Sequence, residues 1–82
     1  MPLFMDIHTI EGVTAPAVAQ AHRADLAAQA PYHVRYLRYW FDEGEGKVFC
    51  LVDAPSVEAA NAVHAQAHGL VAQQIFAVQE GS

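Results

Sequence analysis

Eighty-two residues with a formal charge of −5 make one small domain, residues 1–82. The fixed cations are only Arg23, Arg35, Arg38 and Lys47, too few to neutralise a run of phosphates, so neither nucleic acid nor an anionic membrane surface is expected as a partner. No stretch approaches the ~20 apolar residues of a membrane span, Met1 to Asp6 lacks the basic and apolar regions of a signal peptide, and the lone Cys50 fits a reducing cytoplasm.

The first predicted element is a strand over residues 3–9, with Phe4, Asp6 and His8 on one face and Met5 and Ile7 on the other. Thr14 is a good N-cap and Pro16 sits in the first turn of a helix that runs to about Gln29. Val18, His22, Leu26 and Gln29 share its apolar face, with Asp25 beside them. Pro31 stops that helix, and the aromatic run 33–41 predicts a strand. Asp42 to Gly46 reads as a hairpin turn, and Lys47 to Asp53 as a buried strand without polar alternation. Ser56 caps a second helix, Glu58 complements its dipole, and Gly69 ends it after about His68. Residues 73–79 give a last strand, with Ile75 and Ala77 on one side and Phe76 and Val78 on the other.

The order β-α-β-β-α-β is that of an α+β, ferredoxin-like fold: an antiparallel sheet with two helices on one face. A chain this short buries only roughly 60–65% of its unfolded surface. The opposite sheet face, with Tyr36, Tyr39 and Trp40 nearby, is therefore expected to be covered by a second copy, as in a dimeric α+β barrel.

Chemistry concentrates in the five histidines and the single cysteine. His64 and His68 stand four apart on the second helix, so both rings project from one face and can reach one ion. His22 lies on the apolar side of the first helix and points toward the same sheet face. His8 and Asp6 share a face of the first strand, and the third strand beside it carries Cys50. A thiolate beside imidazoles suits zinc, nickel or copper. Asp6 is expected to be solvated, or to orient a histidine ring. His33, behind Pro31, reads as a surface residue. The candidate ligands are thus His8, His22, Cys50, His64 and His68, brought between sheet and helices by the topology.

The segments Phe4-Met5-Asp6-Ile7-His8, AHRADLAAQ from Ala21, GKVFCLVDAPS from Gly46 and VHAQAHGL from Val63 resemble a family of small bacterial ferredoxin-like nickel-binding proteins, most of which carry only a domain-of-unknown-function label. The resemblance covers nearly the whole chain. It implies a homodimer and nickel, or a similar divalent ion, bound by histidines, and it falls on the same five positions. Asp53 keeps the acidic residue common after the cysteine. Phe76 stands where a tyrosine often occurs, which removes a hydroxyl. The function expected is nickel binding, as a buffer, carrier or sensor. The alternative is a small dimeric enzyme (an isomerase, cyclase or monooxygenase) acting on a small organic ligand, with His22 or His64 as acid and base.

Overall fold

The computed structural model describes residues 2–81 and runs β1 (Leu3–Thr9), α1 (Ala15–Ala28), a 3₁₀ turn (Ala30–Tyr32), β2 (Arg35–Asp42), β3 (Lys47–Asp53), α2 (Val57–Ala67) and β4 (Gln74–Val78). Met1, where the N-terminal reading begins, and Ser82 lie outside the described residues. The strands form one antiparallel sheet in the order β2-β3-β1-β4, so β1 and β3 are central neighbours. This is the ferredoxin-like fold expected from the element order.

Both helices start where the sequence supplies a cap. Thr14 Oγ1 accepts from Ala17 N–H at 3.4 Å and Ser56 Oγ from Ala59 N–H at 3.1 Å. Glu43, in the β2–β3 turn, accepts from Ala15 N–H at 3.1 Å, placing a carboxylate at the positive end of α1. At the far end of α2 the N–H groups of His68 and Gly69 both reach His64 C=O, at 3.1 and 2.9 Å. Gly69 adopts φ +79°, the left-handed turn that ends a helix.

The core lies between the helices and one sheet face. It comprises Val13, Val18 of α1, Val34, Tyr36 of β2, Val48, Cys50 and Val52 of β3, Ala54, and Ala60 and Val63 of α2. The buried stripe of α1 runs through Val18 and Asp25, while Leu26, expected on that face, is exposed. The stripe passes one position to the side of the predicted one, and the acid faces inward. β3 is apolar along its length but alternates in burial: Val48, Cys50 and Val52 are buried, Phe49 and Leu51 only half-buried. Its second face has no layer over it among the described residues. β2 begins at Arg35, because His33 takes the left-handed φ of +59° and turns the chain into the strand; His33 itself is exposed, as expected.

A register shift between Tyr36 and Arg38 sets the rest of β2. Tyr36 lies opposite Val52, Arg38 opposite Leu51 and Tyr39 opposite Cys50, so Leu37 is an extra residue. Such a bulge reverses the alternation. Tyr36 and Tyr39, three apart, both face the helices, and only Trp40 of the aromatic group joins the open face, opposite Phe49.

The β2–β3 turn closes against β1 through Gly46, whose carbonyl accepts from Ile10 N–H at 2.7 Å. Gly46 has φ +66°, and an added Cβ would meet Ile10 O at 2.9 Å; at Gly69 the space is open. Gly46→Ala is therefore expected to lower unfolding stability by about 2–3 kcal/mol and Gly69→Ala by only about 1 kcal/mol. Urea denaturation of the two variants against wild type measures the difference, and equal losses would contradict the close contact.

Candidate metal centre

The central strands place their inward side chains under α2. Asp6 and Cys50 are Cα partners across β1 and β3, and His8 follows two residues on, so carboxylate, thiol and imidazole share one patch. From above, α2 lowers His64 onto it. Asp6, His8, Cys50 and His64 are all buried, and each offers a ligand atom within 4.8 Å of the others'.

His64 is the hub. Its Nε2 lies 2.9 Å from Asp6 Oδ2, 2.8 Å from Tyr36 Oη and 3.3 Å from His8 Nε2. Its Nδ1 lies 2.9 Å from Asp25 Oδ1 on α1. Two buried carboxylates thus face the two edges of one ring. Burial alone would push the His64 imidazolium toward neutrality, but hydrogen bonds to Asp25 and Asp6, and their charges, raise its pKa from 6.5 to about 9. Burial works against the Asp6 carboxylate too, yet the hydrogen bonds of His64 and Tyr36, the charge of His64 and the nearby His8 ring hold it well below the ordinary carboxylate range. Without metal, the ring is a cation held between two acids.

Burial, reinforced by Asp6, keeps the Tyr36 hydroxyl protonated. Its oxygen stands 2.9 Å from Asp6 Oδ2 and 3.1 Å from Ala60 O; with one proton to give, the carboxylate is the stronger acceptor. Cys50 is likewise pushed far above the usual thiol range, first by burial and then by Asp6, so it is a poor nucleophile when metal-free. Asp6 Oδ1, 3.2 Å from His8 Nε2, has no partner in hydrogen-bond geometry. It is a buried carboxylate oxygen with a lone pair to spare.

A second group shares the hub. Asp25 Oδ1 is also 3.0 Å from His68 Nε2, so Asp25, His64 and His68 form a set of their own. Burial, the largest influence, lowers the His68 pKa although Asp25 opposes it. The two helix histidines therefore converge on one carboxylate oxygen. His22 stands in neither group: its ring leans on Tyr39 at 4.7 Å between centroids. Asp53 pairs with Arg35 at 2.9 Å at the other end of β3. Phe76 faces away from the site, opposite Met5, so a hydroxyl there would project from the open sheet face.

Asp6 corrects one expectation, since it is fully buried rather than solvated; its contacts with the His8 and His64 rings are of the orienting kind. Asp25 and Tyr36 were not among the candidates. Asp25 had one available signal: an acid seven residues after Val18 and three after His22, close to the apolar stripe. Beside the cluster lies a mostly apolar cavity of about 190 Å³, walled by Val13, Val18 and Val48, with His8, His22, Cys50, His64 and His68 among its lining residues.

Fold and donor set together define a ferredoxin-like α+β protein with a buried histidine, aspartate and cysteine cluster. Residues 4–78 match the SCO4226-like model, described as nickel responsive protein SCO4226-like, and the chain belongs to that family. Among solved structures it is similar to SCO4226 from Streptomyces coelicolor A3(2), known from a crystal structure. The TM-score is 0.90 at 37% identity, covering 98% of this chain and 99% of that one. No curated protein matches it.

The charged hub makes stability depend on pH. Because the folded pKa of His64 is raised, its contribution is fully present below about pH 6.5 and is lost as pH rises through about 9. Chelator-treated protein should lose on the order of 3 kcal/mol across that interval, and His64→Gln should flatten the fall. At the acid end, the depressed Asp6 pKa predicts loss as pH drops below the ordinary carboxylate range. Thermal unfolding across the pH scale measures both limbs; a stability unchanged up to pH ~9.5 would contradict the buried cation.

Proposed function

We propose that the protein binds a divalent transition metal, nickel first among zinc and copper, through Asp6, His8, Cys50 and His64, and works as a buffer, carrier or sensor for that ion. The observation that carries this reading is the buried convergence of the four donors, with a spare lone pair on Asp6 Oδ1. Contacts of 2.9 Å (His64 to Asp6), 3.2 Å (His8 to Asp6) and 3.3 Å (His64 to His8) suit donors around one ion: ligands each ~2.1 Å from a metal at octahedral to tetrahedral angles stand ~3.0–3.4 Å apart. Mixed carboxylate, imidazole and thiol donors suit a borderline ion. The family description supports nickel as the choice. Binding takes the proton from His64 Nε2 and from the Cys50 thiol, so affinity rises with pH.

Tag-free protein is expected to carry or take up stoichiometric nickel. In calorimetry, His64→Ala and Cys50→Ser should each weaken binding at least ~100-fold. A thiolate-to-nickel charge-transfer band should appear in wild type and be missing from Cys50→Ser. No metal after purification and no heat on nickel titration would refute the reading.

The cavity favours a second reading, an enzyme acting on a small organic molecule with His22 or His64 as acid and base. Turnover that survives complete metal removal would favour it over metal handling.

We also infer a homodimer built on the open sheet face. Met5 and Ile7, Phe49 and Leu51, and the exposed Trp40 and Phe76 form a contiguous apolar surface there. Wild type should elute at dimer mass in light scattering, and Trp40→Glu with Phe76→Glu should shift it to monomer. A wild type monomeric at high micromolar concentration would count against this.

A further inference from the structure

We propose that the cavity between α1 and the sheet binds a small neutral hydroxy-aromatic molecule, a single ring of the phenol class, with its hydroxyl bonded to the His22 ring. The inference rests on the second reading above only in placing a small organic molecule in this cavity; it requires neither turnover nor bound metal.

Size sets the first limit. The cavity holds about 190 Å³, and a dry apolar cavity of ~150 Å³ takes up benzene. One ring with one or two small substituents therefore fills it, whereas a fused ring system or a long acyl chain does not fit. Gly12 and Leu70 line the cavity and are also exposed, so they mark where it meets solvent. Gly12 puts no side chain in the way, and a Cβ built on it would have nothing within 4 Å.

The walls set the second limit. Ile10, Val13, Val18 and Val48 line the cavity, so an apolar body gains by leaving water for it. The bulge at Leu37 turns Tyr39 to this side of the sheet. Its ring lies 4.7 Å from that of His22 between centroids, tilted by 43°, and both rings line the cavity. Such a pair presents aromatic faces and edges against which a further ring can pack.

Hydrogen bonding selects the polar group. His22 belongs to neither acid cluster, and its Nδ1 is buried without a partner. An unbonded buried nitrogen is costly, and packing against Tyr39 alone would be served by an apolar side chain. A hydroxyl both donates and accepts, so it suits either tautomer of the ring. Charged groups are disfavoured. Asp6 and Asp25 outnumber the His64 cation between them, which repels a carboxylate. Asp25 Oδ1 already meets His64 and His68, so an ammonium group finds that oxygen taken.

Amide ¹⁵N–¹H spectra of the tag-free full chain, titrated separately with p-cresol, toluene, benzoate and benzylamine, test the assignment. p-Cresol should shift the amides of Val13, Val18, Tyr39 and Val48 and bind about tenfold more tightly than toluene. His22→Phe should bring the two to equal affinity. Ala21→Leu, which fills the cavity from α1, should abolish both, with the spectrum of each variant checking its fold. Equal affinities in wild type, or a p-cresol preference that survives in His22→Phe, overturn the phenol assignment and leave a general apolar cavity. Tighter binding of benzoate or benzylamine overturns the neutral class and leaves a small-molecule site. No shift with any of the four refutes that site as well.

Discussion

The fold is organised around a cation between two buried acids. Asp6 on β1 and Asp25 on α1 are both almost wholly removed from water, and burying such groups unpaired costs several kcal/mol each. The His64 ring compensates both, one nitrogen to each. That requirement ties β1, α1 and α2 to one point, and the Tyr36 hydroxyl adds β2. A small core of valines and alanines would tolerate many helix placements; this polar node admits one.

Much of the scaffold was legible in the sequence for identifiable reasons. Thr14 and Ser56 mark helix starts, Gly69 marks an end, and the aromatic run makes a strand unmistakable. The i, i+4 spacing of His64 and His68 and the adjacency of β1 and β3 bring His8, Cys50 and His64 into one neighbourhood from sequence alone. What escaped depends on tertiary context. The bulge at Leu37 has no local signature, since Leu37 is neither glycine nor proline, yet it decides which face Tyr39 takes. Asp25 lies among alanines on a helix with a weak apolar stripe, where a one-position rotation separates a solvated acid from a buried one. Asp6 looked like a solvated strand residue because its compensating cation is 58 positions away.

The same node connects structure to the proposed function. On the proposed reading, a proton on His64 does the electrostatic work that a divalent ion would do, so proton and metal would compete for Nε2. Such a site keeps both acids hydrogen-bonded to one cation, which would suit the uptake and release of an ion proposed above. The cavity lies beside the cluster, and the apolar face is on the other side of the sheet.

Long-range ¹⁵N–¹H correlation spectra of the histidine rings, recorded near neutral pH before and after saturation with zinc as a diamagnetic stand-in for nickel, would test this directly. The account predicts that both His64 nitrogens are protonated in the metal-free protein and that the Nε2 proton disappears with zinc. A neutral His64 ring in the free protein, or an Nε2 proton that survives saturation, would contradict it.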